Sequence, residues 1–171
     1  DPLQLASAGA AQAMVRLGGT AWLLATANGG IWRSDDILAK SPHWTNVLDG
    51  QPVTCTSISS MAGLHGGDGE LASTILAGCG SATSSEMGTD WMASNSGDWG
   101  GLMISHDAGE SWKMLNAFPS NYFITAIRLR SPTEFVVSAR AHFLNREDGG
   151  VWATADSGAT WTRTLSSPVY D

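Results

Sequence analysis

Ser105-His106-Asp107-Ala108-Gly109-Glu110-Ser111-Trp112 and Thr154-Ala155-Asp156-Ser157-Gly158-Ala159-Thr160-Trp161 carry one pattern, S/T-x-D-x-G-x-S/T-W. Their aspartates stand 49 residues apart, and each segment follows a Gly-Gly pair and a short apolar run. A period of that length marks a repeat architecture. One unit of such a repeat cannot bury its own apolar face, so the chain must fold as a stack or ring of units. A decayed copy stands earlier, in Gly29-Gly30-Ile31-Trp32-Arg33-Ser34-Asp35-Asp36, with the expected tryptophan delayed to Trp44 by the inserted residues 37–43.

Composition agrees with short strands and tight turns. Twenty glycines suit turns, and eight tryptophans supply large flat side chains to fill the space between packed sheets. With 43% hydrophobic and only 15% charged residues in 171, the chain is a folded object and not a disordered polyelectrolyte. A net charge of −7 opposes a nucleic-acid ligand unless basic residues gather on one face, and the sequence shows no such cluster. No apolar run reaches the ~20 residues that a membrane-spanning helix needs, and Asp1-Pro2 does not begin a signal peptide, so the chain reads as processed, trimmed or part of something longer.

Runs rich in β-formers, bounded by Gly, Asn, Asp and Pro, predict strands at about 12–17, 20–26, 30–34, 43–48, 53–60, 73–79, 101–105, 111–115, 122–129, 133–139, 150–154 and 160–165. These twelve fall into three sets of four, about 12–48, 53–115 and 121–165, with an arm or a remnant of a neighbouring unit at 1–11. In each set the aspartate turn joins the third strand to the fourth. There Asp107 and Asp156 accept bonds from turn N–H groups that lack ladder partners, and Ser105, Ser111, Thr154 and Thr160 add local bonds. Gly109 and Gly158 suit a positive φ, and Trp112 and Trp161 turn inward where sheets meet. This role is structural; a calcium site would need a ligand series that the spacing lacks.

The motif resembles the Asp-box, or bacterial neuraminidase repeat, of sialidase-like β-propellers, with two full matches and one degenerate one over about residues 20–165. The resemblance implies an all-β fold in which the three sets are four-stranded antiparallel propeller blades. Propellers carry typically four to eight blades, so three imply part of a larger ring or one chain of an assembly. It also implies that ligands sit on the face opposite the Asp-box turns, near the channel. The segments on that face are Asn28-Gly29-Gly30, 80–100, 140–149 and the connections near 48–52 and 116–121.

The 80–100 loop carries Glu86, Asp90, Trp91, Asn95, Asp98 and Trp99. Indoles beside carboxylates suit sugar binding, the alternative being an insertion that covers a sheet edge. Arg140 and Arg146 are the second ligand-binding candidates: they suit an anion, or pair with Glu147 and Asp148. Asp90 and Asp98 are the only catalytic candidates, by loop position alone, for a hydrolase that flanks a glycosidic bond with two carboxylates. A sialidase-like site is not legible, since no Arg-Ile-Pro start motif exists and Tyr122 and Tyr170 have no catalytic setting. The preferred reading is therefore a recognition or scaffold module for protein or glycan within a larger protein or assembly, with glycoside hydrolysis as the alternative. The partners implied are a protein or the remaining blades, with carbohydrate as the other ligand class. No nucleic acid, cofactor or metal is expected, because His43, His65, His106 and His142 stand at no metal-binding spacing. If the strands around 67 pair antiparallel, Cys55 and Cys79 fall opposite one another and are placed to form a disulfide. An extracellular or organelle-lumen location fits the composition.

Overall fold

A computed structural model describes residues 10–65, 72–80, 100–119, 122–141 and 149–167. It contains twelve strands in three four-stranded antiparallel sheets and, among the described residues, no helix. Blade 1 comprises β1 (Ala11–Gly18), β2 (Ala21–Thr26), β3 (Gly30–Ser34) and β4 (Thr45–Asn46) in sequential order. Blade 2 comprises β5 (Ile58–Leu64), β6 (Thr74–Cys79), β7 (Leu102–Ser105) and β8 (Lys113–Met114). Blade 3 comprises β9 (Tyr122–Leu129), β10 (Phe135–Ala141), β11 (Gly149–Thr154) and β12 (Thr162–Leu165). The first strands β1, β5 and β9 lie side by side in that order, each starting its own sheet. The chain is thus all-β and forms three blades of a partial β-propeller.

Two apolar clusters weld the blades. Leu17, Leu23 and Ile31 of blade 1 meet Ile58, Ile75 and Met103 of blade 2, and all six are nearly or wholly buried. Leu76, Leu102 and Ile104 of blade 2 meet Ile124, Phe135, Val137 and Trp152 of blade 3. Each wholly buried Leu or Ile contributes about 1.5–3 kcal/mol. Blade 2 lies between the other two, which explains why β6 is buried at every position from Thr74 to Cys79. A strand buried on both faces shows no polar alternation, so its sequence reads as a continuous apolar run.

Close approach of the sheets selects glycine at the contact. A Cβ on Gly78 would stand 2.4 Å from the Cβ of Ile124 in blade 3. Beside it, the Ser59 hydroxyl lies within hydrogen-bond reach of the Gly78 carbonyl at 3.2 Å and of the Ile124 carbonyl at 2.7 Å, linking blades 2 and 3.

The first strand of blade 2 begins later than the expected 53–60, and β4 and β8 are only two residues long. Cys79 pairs with Ile58 and not with Cys55, which precedes β5. Cys55 nevertheless lies across the strand end from Cys79, with Cα atoms 5.8 Å apart, and the two form a disulfide.

Candidate functional site

The two full repeat turns adopt the same hydrogen-bond pattern. Asp107 accepts the Ser111 amide at 2.8 Å through Oδ1 and the Ser111 hydroxyl at 2.5 Å through Oδ2. Asp156 accepts the Thr160 amide at 2.9 Å and the Thr160 hydroxyl at 2.6 Å in the same way. The Ser105 and Thr154 hydroxyls donate to these aspartates and accept the amides of Gly109 and Gly158. Gly109 and Gly158 have φ of 85° and 84°, and the residues before them, Ala108 and Ser157, are also left-handed at 57° and 59°. Those glycines also fit where a Cβ would press into Leu23 and Leu115, each belonging to the preceding blade. Trp112 and Trp161 close each turn by donating from Nε1 to the carbonyls of Gly109 and Gly158.

These bonds fix the charge state. Burial raises the Asp107 pKa, but the Ser111 hydroxyl and amide, the Ser105 hydroxyl and the Glu110 amide outweigh it and hold it below the ordinary value. The Thr160 hydroxyl, then the Thr160 amide and the Thr154 hydroxyl, lower Asp156 to about 2. Both carboxylates are held ionised and fully engaged, which suits a structural clasp and not a proton donor.

Blade 1 lacks this clasp. Asp36 accepts the Leu38 amide instead, and Asp35 pairs with Arg33 at 2.9 Å. Ser34, at the position of Ser105 and Thr154, is buried, and its hydroxyl has no hydrogen-bond partner among the described residues. Trp44 is only half-buried where Trp112 is 1% exposed. Three extra residues between Ser34 and Trp44 prevent the turn from closing as it does in the other blades.

Antiparallel order sends the β2–β3 turn and the β4–β5 connection to the face opposite the clasps. A cleft of about 300 Å³ opens there in blade 1, lined by Asn28, Gly29, Trp32, Asn46, Asp49 and Thr56 among others. Blade 2 has a second, of about 400 Å³, at the corresponding strand ends, lined by Gly101, Met114, Asn116, Ala117 and Phe118 among others. Both lie beside the second glycine of a Gly-Gly pair and the fourth-strand residue that overlies it. Asn46 pairs with Trp32, Met114 with Met103 and Arg163 with Trp152, one residue per blade at the same place. Asn46 and Trp32 Nε1 both donate to the Gly29 carbonyl. In blade 3 Arg163 donates to the Gly149 carbonyl and lies over the Trp152 ring, 5.1 Å from its centroid. This position escapes the motif, yet it is marked in the sequence: it follows the second glycine by 13 residues in both full repeats and by 16 in the interrupted one.

The Cys55–Cys79 disulfide lies on the same side, with Cys55 lining the first cleft. Arg140 is at the end of β10, its guanidinium over the Phe123 ring at 5.4 Å from the centroid. Tyr122 is buried and packs edge-on against Trp152. Glu86, Asp90, Trp91, Asp98, Trp99 and Arg146 lie outside the described residues. Among the described residues, no cluster of His, Cys, Asp and Glu is placed to hold a metal ion, and no helix is long and apolar enough to cross a membrane.

No family model matches the chain, and no curated protein matches it. Solved structures do. The GH74 xyloglucanase from Xanthomonas campestris is similar over 94% of this chain and 23% of its own, with a TM-score of 0.59 at 20% identity. YCF48 bound to D1 peptide is similar over 91% of this chain and 39% of its own, with a TM-score of 0.56 at 11% identity. At these identities the likeness shows the fold, a β-propeller, of which this chain spans less than half of either neighbour.

Proposed function

We propose that the chain is the Asp-box-bearing part of a recognition module, in which the face opposite the clasps holds an extended segment of a protein partner across successive blades. The observation that carries this reading is the repetition of one cleft, at the same strand ends, in blades 1 and 2. Each offers a few polar groups beside apolar walls, Asn46 and Asp49 in the first and Asn116 in the second, as small recognition sites do. Of the two solved neighbours of this fold, one carries a peptide, which motivates the choice of a protein segment, and the other is a xyloglucanase, which keeps glycans in the test. The disulfide supports an oxidising compartment, extracellular or an organelle lumen.

Glycoside hydrolysis is the less supported reading. The two carboxylates whose pKa is lowered among the described residues, Asp107 and Asp156, are engaged in the clasps on the opposite face, and the catalytic candidates Asp90 and Asp98 lie outside the described residues. The test is binding of the protein to immobilised peptide and glycan arrays, with xyloglucan oligosaccharides included as hydrolysis substrates. Peptide capture weakened about fivefold by either Asp49→Ala or Asn116→Ala, the loss of about one hydrogen bond, is the expected result. Cleavage of xyloglucan that Asp90→Asn or Asp98→Asn abolishes, or peptide binding indifferent to both cleft variants, would overturn the proposal.

A further inference from the structure

Blades 1 and 3 carry tryptophan at the same place in their third strands, and the two indoles meet different partners across the sheet. Trp152 pairs with Arg163, and Trp32 pairs with Asn46. In blade 3 the Arg163 guanidinium lies over the Trp152 ring, its Cζ 5.1 Å from the centroid, which is the reach of a cation–π contact. Phe118 and Tyr122 pack edge-on against the same indole, and Trp152 is only 5% exposed.

Blade 1 supplies no such cation. Asn46 is uncharged, and its side chain is tied to the backbone: it donates to the Gly29 carbonyl at 3.2 Å and accepts the Leu48 amide at 3.0 Å. Trp32 is held by its own bond from Nε1 to the Gly29 carbonyl at 2.7 Å, and its half-buried indole lines the cleft. Exposed Asp49, three residues after Asn46, lines the same cleft. Among the described residues Asp49 makes no ion pair. The residues at the same offset in the other blades, Ala117 and Ser166, carry no charge. An aromatic wall and an unpaired carboxylate thus share one cleft, in a chain whose net charge of −7 draws cations towards it.

We propose that the cleft of blade 1 binds a cationic side chain, arginine or lysine, of the bound protein segment. The cation lies over the Trp32 ring, as Arg163 lies over Trp152, and its N–H groups donate to the Asp49 carboxylate. Both elements of the site come from the third strand and the fourth-strand end of one sheet, so the site does not depend on what packs against the flank of blade 1. The cleft of blade 2 has neither: Met114 and Phe118 wall it, and no carboxylate lines it. This inference rests on the recognition reading for the source of the cation, but the site itself is tested without a peptide.

The test is titration of the full-length protein, isotopically labelled at tryptophan, with N-acetylarginine amide. The readout is the resonance of the Trp32 indole N–H, identified by its loss in Trp32→Phe. N-acetylcitrulline amide, of the same shape without the charge, is the control. The arginine probe is expected to shift the resonance saturably and to bind about tenfold more tightly than the citrulline one. Asp49→Asn should weaken arginine binding about threefold to fivefold, as the loss of an exposed ion pair does. Asn46→Arg, which gives the ring a cation of its own, should abolish it. No response, an equal response to both probes, or equal binding by the wild type and Asp49→Asn would overturn the proposal. So would a shift with neutral xyloglucan oligosaccharides in place of arginine, which would assign the cleft to a sugar. Peptide capture that persists while the arginine probe fails strikes the cation alone. Arginine binding without any peptide capture strikes the segment reading and leaves the site.

Discussion

The joint between blades 1 and 2 is tight enough that one methyl group should report it. A Cβ on Gly63 of β5 would stand 2.7 Å from Cγ1 of Val15 and 3.3 Å from the Cβ of Ala72. Carbon atoms rest at about 3.5–4.0 Å, so Gly63→Ala forces β1 and β5 apart by roughly 1 Å or twists Val15 off its rotamer. Overpacking of that kind costs about 1–3 kcal/mol. Val15 is 5% exposed, and Val15→Ala alone removes two buried methyl groups at a cost of about 2 kcal/mol. In the double variant the new methyl enters the space that the old ones vacate. The combined cost should then fall short of the sum by about 1–2 kcal/mol, with the contact to Ala72 preventing full compensation. Urea unfolding followed by tryptophan fluorescence gives each value, and unchanged slopes would validate the comparison. Additivity within about 0.5 kcal/mol would refute the interlocked joint.

Removing a clasp should destabilise without unfolding: Asp107→Ala leaves the buried Ser105 hydroxyl without its acceptor and is expected to cost about 1–2 kcal/mol in chemical denaturation, whereas Glu110→Ala, on the same turn but exposed, should cost under about 0.5. The pH dependence has a definite sign. The folded pKa of Asp156 lies at about 2, below the ordinary 3.8, so its contribution is complete above that ordinary value and is lost as pH falls towards 2. Thermal midpoints of the wild type should therefore fall more steeply over that window than those of Asp156→Asn, and parallel curves would contradict the assignment. Cys55→Ser with Cys79→Ser opens a bridge across a sequence separation of 24 and should cost about 3–4 kcal/mol, while the oxidised wild type should show no titratable thiol after denaturation.

The three sets of four strands were legible because Gly-Gly, aspartate and tryptophan recur at fixed offsets, and turn chemistry is local. Register was less legible. Cys55 was expected opposite Cys79, yet Ile58 occupies that place, because the regular pairs from Leu64–Thr74 to Ser60–Gly78 set the ladder two residues further along the chain than a turn centred at 67 would, and the irregular step between Ser60 and Ile58 shifts it by only one residue. The blade-to-blade contacts were hidden for another reason: β6 is buried on both faces, so alternation could not separate the face towards blade 1 from the face towards blade 3. The decay of the first copy was legible in its delayed Trp44, but the unclasped Ser34 hydroxyl was not, since Ser34 and Asp36 keep the spacing of Ser105 and Asp107. The segments that line the clefts, Asn28-Gly29-Gly30 and the connections near 48–52 and 116–121, were legible as lying opposite the clasps, but the clefts themselves were not, because their walls come from strand ends and Gly carbonyls, which bear no distinctive side-chain pattern.

The two described joints are built alike: a row such as Met61–Ala77–Met103 of one blade packs on a set such as Leu23–Ile31 of the blade before it, and blade 2 turns the set Leu76–Leu102 to blade 3. A duplicated blade inserted between blades 1 and 2 would therefore meet familiar surfaces on both flanks, and a lost blade would leave two faces able to rejoin. By contrast, the single methyl group of Gly78→Ala strikes Ile124 across a joint with no slack. At these joints the number of blades is the softer variable, and the glycine at the seam the harder one.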